Sequence, residues 1–447
     1  MIKTFINAWK IPELRKKILF TAFIVLIFRI GSVIPVPFAN IHGFDIITNE
    51  YAGTFMEYLQ MMTGEAFNYG TVFAMSITPY INSSIIMQLL TVAIPALERL
   101  SKEGEEGRKK IATITRYVTV VLALLQSTAY YFFLRNSTST SGTKYLVPVT
   151  GVGAQIFQAL VIILCFTAGA ALIMWLGEQI NDKGIGNGIS IILFAGIVSR
   201  IPTMLTQLFH PTQGYIARGG MMIPLSIWVF ISYLLMIAYI VWMDNAERRI
   251  PVQYAKRVVG RKMYGGQNSH IPIKVNMSGV MPVIFASSIL SLPPTIQMFV
   301  HTTEGSFWSK FFGVFSSSHW AYGIMYFLLI IFFAYFYAQI QYNPIEMANN
   351  IRKNSGAIPG IRPGRPTSDY IAKILSRITL LGALLLSVVA LYPVIFQQIT
   401  AALPGENTTM YITLGGTSII IMVGVALETV KQLESQMMMR HYKGFLD

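Results

Sequence analysis

The sequence predicts an all-α, polytopic membrane protein, and three observations carry that prediction. Ten apolar stretches lie along the 447 residues, each long enough at 1.5 Å rise per residue to cross a hydrocarbon core about 30 Å thick. Hydrophobic residues make up 53% of the chain and charged residues only 12%, far below the roughly 25% of a soluble domain. Finally, 28 of the 34 Lys and Arg residues fall on one side of the implied membrane, as insertion leaves them on the cytoplasmic face.

The spans are read as residues 18 to 37, 71 to 95, 117 to 134, 154 to 176, 188 to 208, 222 to 243, 279 to 300, 321 to 342, 378 to 396 and 411 to 427. The first follows Arg15-Lys16-Lys17 as a secretory signal would, but it is about 20 residues long and lacks a small-residue cleavage site, so it is kept as a span. Ten crossings put both termini on one side, and the Lys and Arg bias makes that side the cytoplasm. The net charge of +14 is explained by this topology rather than by a nucleic-acid surface. A single cysteine, Cys165 in the fourth span, excludes a disulfide framework and a thiol metal cluster.

Ionisable groups are nearly absent from the spans. Every Asp and Glu lies in a loop, at a span edge or between the first two spans, and all six His lie outside the spans. An ion-coupled transporter is expected to carry a midplane carboxylate, and an intramembrane metalloprotease His-Glu pairs at helical spacing. Neither is available, so no enzymatic activity and no cofactor are expected. Arg29 and Arg200 are read as bonding to helix-end carbonyls or snorkelling to the outer headgroups, outside any site. The second span instead carries Ser76, Thr78, Asn82, Ser83, Ser84 and Gln88, and the seventh Ser287, Ser288 and Ser291. Such residues suit close helix packing, and equally a water-lined path or a helix interface that opens.

Between the first two spans, Thr54 to Gly64 places Phe55, Tyr58, Leu59 and Met62 on one helical face, with Thr54 as N-cap and Gly64 as terminator. This ten-residue helix cannot cross the bilayer. It either lies in the outer interface or folds back into a cavity enclosed by protein. Of the two long basic loops, 244 to 275 reads as a β-hairpin through its alternating Glu247-to-Arg257 run and its Gly265-Gly266 turn. The other, 343 to 377, holds Arg362 and Arg365 outward on a Pro/Gly turn. Basic, ordered loops of about 30 residues favour an acidic partner such as ribosomal RNA or a motor protein. Gly184-Ile185-Gly186-Asn187-Gly188 looks like a phosphate loop but lacks a preceding strand and a following Lys-Ser/Thr, so a tight turn is expected.

Along its whole length the chain resembles the SecY family, the channel-forming subunits of the Sec protein translocase. The resemblance is carried by Phe28-Arg29-Ile30-Gly31-Ser32, Pro79-Tyr80-Ile81, Gln88 to Val92, Glu103-Gly104-Glu105, Gly107-Arg108, Trp175 to Ile180 and Gly184 to Ser190. It continues in Tyr254-Ala255-Lys256-Arg257, Lys274 to Met277, Phe285 to Ser288, Pro359 to Gly364 and Gly415 to Ser418. The resemblance implies ten transmembrane helices in two pseudo-symmetric inverted halves around an hourglass pore. Residues 1 to 187 hold spans one to four, 188 to 208 close the first half, and 209 to 447 form the second. It places the pore ring at Ile77, Ile81, Ile189, Leu193, Ile284 and Ile421 and the plug at about 55 to 66, including Phe55, Tyr58, Leu59 and Met62. A lateral gate would be lined by Asn82, Gln88, Ser287 and Ser288. Motor and ribosome docking would fall to Arg362, Arg257, Arg261, Lys262, Arg248 and Arg249. The implied function is the central protein-conducting channel of the Sec translocon in a bacterial plasma membrane, moving unfolded preproteins across and releasing hydrophobic segments into lipid. Implied partners are SecE, SecG, the SecA motor ATPase, the ribosome, signal peptides and membrane lipid. The rival reading is an ion-coupled secondary transporter, which also uses inverted repeats and broken helices.

Overall fold

A computed structural model describes residues 2–40, 66–67, 69–136, 144–210, 222–254, 257–259, 262–264, 268–290, 293, 307–315, 319–354, 356–402 and 415–443. The chain begins with α1 (Ile2–Lys10) and α2 (Pro12–Gly31), the proline sitting in the first turn, where its missing N–H leaves no bond unmade. Then come α3 (Thr78–Ala93), α4 (Pro95–Lys102), α5 (Glu105–Asn136), α6 (Val152–Lys183), α7 (Gly188–Val198), α8 (Ile201–Phe209) and α9 (Met222–Asn245). After a basic-side sheet follow α10 (Met281–Leu290), α11 (Phe307–Gly313), α12 (Trp320–Gln341), α13 (Pro344–Lys353), α14 (Arg365–Ala402) and α15 (Gly416–Lys443).

Among the described residues seven helical stretches are long and apolar enough to cross a membrane, and an eighth if α3 and α4, bent by 100° at Ile94, count as one. The ten expected stretches and these helices differ for identifiable reasons. The first span is the 20-residue α2, whose Arg15, Lys16, Lys17 and Arg29 exceed the charge a clean span carries. The second is helical only from Thr78; residues 71–77 are successive turns. The seventh is described as a ten-residue helix. Elsewhere helices outrun the apolar window, as α14 and α15 do, because polar residues beyond the bilayer extend them without changing their backbone.

Neighbour relations repeat along the chain. α3 packs on α5 and α5 on α6, while five spans later α10 packs on α12 and α12 on α14. In the same way α6 adjoins α7, α14 adjoins α15, and α7 meets α15 where the two groups join.

On the side that carries the basic loops, β1 (Glu247–Tyr254) pairs antiparallel with β4 (Asn268–Lys274), from Glu247 opposite Lys274 to Gln253 opposite Asn268. Between them β2 (Arg257–Val259) and β3 (Lys262–Tyr264) form a separate two-stranded ribbon. The expected antiparallel pairing is present as β1 with β4, while Arg257 belongs to β2 and the expected Gly265-Gly266 turn lies outside the described residues. Unforeseen is β5 (Gly356–Ala357) of the other basic loop, which pairs with Gln253 and Tyr254 to give a sheet of order β4-β1-β5. Strand alternation turns Ile250 and Val252 inward, onto a small core with Ile273, Ile351, Ile358 and Ile371.

Candidate channel waist and docking surface

Two buried, non-helical segments lead into the helices that carry Ile81 and Ile284. In the first, the Val72 N–H donates to Ile34 O at 2.9 Å, just past the end of α2; in the second, the Val275 N–H donates to Ala246 O at 2.9 Å, just past the end of α9. Each then passes a residue with positive φ, Ser76 at 45° and Gly279 at 61°. Each enters its helix through a proline in the first turn, Pro79 or Pro282, whose ring fits the helical φ and needs no N–H there. Two residues later stands Ile81 or Ile284. The match holds at one offset of 203 positions, 72 to 275 and 81 to 284, although the segments run in opposite senses relative to the basic side.

A second correspondence, at an offset of 228, relates the starts of α7 and α15: Gly188-Ile189-Ser190-Ile191-Ile192-Leu193 and Gly416-Thr417-Ser418-Ile419-Ile420-Ile421. The first start follows the tight turn expected at residues 184 to 187. Gly186 there has φ 84°, the left-handed region that glycine adopts without steric cost. Thr21 Oγ1 accepts from the Ile185 N–H at 3.1 Å, and Asn181 Oδ1 from Gly188 N–H at 2.8 Å. Asn187 caps α7, its Oδ1 accepting from Ile189 N–H at 3.1 Å. No phosphate-loop architecture surrounds this turn.

The four elements contribute to one extended apolar core, and α7 and α15 pack directly on each other. Ile77, Ile81, Leu193, Ile284 and Ile421 are buried members of one apolar cluster, and Ile189 packs against it. Ile77 and Ile81 stack one turn apart, joined by the bond from Ile81 N–H to Ile77 O at 3.0 Å. Phe285, beside Ile284, packs edge-on against Phe333 and Tyr337 of α12, which fixes the rotation of α10. Among the described residues Arg200, at the break between α7 and α8, is the one buried Lys, Arg, Asp or Glu, and no group of three His, Cys, Asp or Glu could hold a metal ion. Arg29 ends α2 with its Nη1 buried and without a hydrogen bond.

The polar residues expected at a lateral gate make local bonds. Gln88 donates to Ser84 Oγ one turn back at 3.5 Å, and Ser287 Oγ to Ile284 O at 2.9 Å. Asn82 and Ser288 are half-buried. Sequence reasoning missed the interhelical strap beside them: fully buried Ser83 donates to Thr115 O of α5 at 2.8 Å. At the basic end of the same helices Arg116 pairs with Glu178 of α6 at 2.6 Å.

Arg362 is exposed on the Pro/Gly turn, which is closed by Thr367 Oγ1 donating to Arg362 O at 2.9 Å. Arg248 and Arg249 are exposed on β1, Arg249 reaching Glu247 at 2.7 Å. Arg257 and Lys262 lie on the β2–β3 ribbon. Arg261 and the plug residues Phe55, Tyr58, Leu59 and Met62 lie outside the described residues.

The assembly defines a multi-pass helical membrane protein whose spans pack through an extended apolar core. The family model of SecY matches residues 71–430. SecY subunits of protein translocases from Mycobacterium bovis and Streptomyces coelicolor are 43% and 44% identical over 456 and 450 residues, covering the whole of both chains. The chain belongs to the SecY family. Its fold is similar to a solved protein-conducting channel (TM-score 0.63, 18% identity, 96% of each chain) and to Sec61 in a canine ribosome-channel complex (TM-score 0.59, 16% identity, 96% of each chain). The ion-coupled transporter reading finds no support in these comparisons.

Proposed function

We propose that this chain is the central, passive, gated protein-conducting channel of a Sec translocon, without enzymatic activity of its own. The observation that carries this reading is that all six proposed ring positions lie in or against the main apolar core, on α7, α10, α15 and the start of α3. A hydrophobic constriction excludes ions by dewetting, and flexible aliphatic side chains reseat around a passing polypeptide of any sequence. Leu193 among isoleucines conserves volume and keeps the seal. The paired approach segments, running in opposite senses, support two inverted halves joined near residue 208.

Preproteins cross in the unfolded state, and sufficiently apolar segments leave sideways between spans two and three and spans seven and eight, sorted by transfer free energy. Asn82, Gln88, Ser287 and Ser288 line that exit, and the segment with Phe55, Tyr58, Leu59 and Met62 plugs the external funnel. Orientation follows the positive charge: the sheet, Arg362 and both termini face the cytoplasm of a bacterial plasma membrane. There Arg362, then Arg257, Arg261, Lys262, Arg248 and Arg249, dock the SecA motor and the ribosome, while SecE and SecG complete the complex. Energy comes from these partners.

The test is ion conductance of the purified complex in planar bilayers. Ile81→Gly combined with Ile284→Gly opens resting channels to ions; an unchanged, sealed bilayer removes the ring and with it the channel reading. For docking, Arg362→Glu stops motor-driven import into vesicles with the protein still folded, and full import would remove Arg362 from that surface.

A further inference from the structure

Four glycines stand where the ring-bearing elements touch spans four and nine. A Cβ built on Gly169 of α6 falls inside contact distance of Val72 O, and one on Gly382 of α14 does the same to Val275 O. At the other pair the roles are exchanged: Cβ atoms on Gly188 and Gly416 collide with Gly177 O of α6 and Val389 O of α14. In all four cases the obstructing atom is a backbone carbonyl, so no side-chain rotation relieves it, and a methyl group forces the backbone to move.

We propose that Gly169, Gly382, Gly188 and Gly416 are the positioning residues of the waist, setting the depth at which each ring side chain enters the pore. Each ring member hangs from one of them. Ile77 and Ile81 follow the Val72 segment seated on Gly169, and Ile284 follows the Val275 segment seated on Gly382. Ile189 and Leu193 stand on the helix that begins at Gly188, and Ile421 on the helix that begins at Gly416. Spans four and nine act as two struts, each bearing one approach segment and one helix start.

This inference rests on the channel reading above, and the experiment separates the two. Gly169→Ala, Gly382→Ala, Gly188→Ala and Gly416→Ala are each assembled into the complete complex and measured for resting ion conductance in planar bilayers, beside thermal stability. Gly153→Ala and Gly313→Ala, where an added Cβ meets nothing within 4 Å, serve as controls. Each strut variant raises resting conductance several-fold over wild type, with similar effects within the Gly169/Gly382 pair and within the Gly188/Gly416 pair, and the controls stay sealed. Strut variants that lose thermal stability yet stay as tight as wild type overturn the inference, because glycines that merely permit packing would behave so.

Where an alanine variant does not assemble, Gly279→Ala keeps the question open to refutation. Its Cβ meets no atom within 4 Å, and its φ of 61° perturbs the Val275 segment through backbone conformation alone. It must leak as well, and a sealed Gly279→Ala channel also counts against the struts. If the Ile81→Gly, Ile284→Gly double variant itself stays sealed, the channel reading falls; if that variant leaks and the strut variants do not, this inference alone falls.

Discussion

Residues 72–87 and 275–290 follow one backbone scheme and carry it out with different chemistry. Both seat a valine carbonyl on a glycine, turn through a positive φ and enter a helix behind a proline. On the side away from the basic loops the pairing that precedes the turn is a single bridge, Pro35 with Thr71, whereas on the basic side it continues into the seven-residue ladder of β1 and β4. The left-handed position is Ser76 in one and Gly279 in the other. At the next turn Ser83 straps α3 to α5, while its counterpart Ala286 has no hydroxyl and α10 is held by aromatic packing of Phe285. The two segments thus share the backbone course and differ in what secures it.

The largest expected effect separates the halves at the ring. Ile81→Gly alone and Ile284→Gly alone each raise resting ion conductance by a similar factor, below that of the double variant; a leak confined to one half would break the equivalence. Next comes lateral release: a photoreactive residue at Gln88 or Ser288 captures a signal segment during insertion, and capture at neither position moves the exit elsewhere. Third, Ser83→Ala removes the buried bond to Thr115 O and destabilises the protein by about 1 kcal/mol, read as a lower Tm. Ala286→Ser finds no such counterpart effect if the strap belongs to one half only. The smallest is a pair of opposite sign. Ser76→Gly relieves a left-handed residue and stabilises by about 1 kcal/mol, while Gly279→Ala introduces one and destabilises by about as much. Equal signs in thermal denaturation would show that the two turns are not equivalent.

Much of this was legible in the chain. Length and charge located the membrane stretches because both are summed over many residues, and the six positions that the motif resemblance marks as a ring lie in or against the main apolar core. The non-helical course of residues 71–77 was not legible, since Thr71-Val72-Phe73-Ala74-Met75 is apolar enough to read as span, and only tertiary pairing with residues 34–36 unwinds it. Joining of the two basic loops escaped for a similar reason: a two-residue strand, Gly356-Ala357, leaves no periodicity to find. The local bonds of Gln88 and Ser287 had no sequence signal of their own, because a hydroxyl or amide in a helix finds a partner within one turn of its own backbone or side chains. The glycine contacts had a readable trace, the paired Gly-x-Ser-Ile-Ile runs at 188 and 416, but what a glycine touches is a three-dimensional fact.

The Pro/Gly turn around Arg362 is rooted at both ends in the same contact. On one side it leads through β5, β1 and β4 to Val275; on the other it runs directly into α14, which carries Gly382. A partner docked there, as proposed for Arg362, holds both jaws of one vice, the strand side that ends at Val275 and the helix side that carries Gly382.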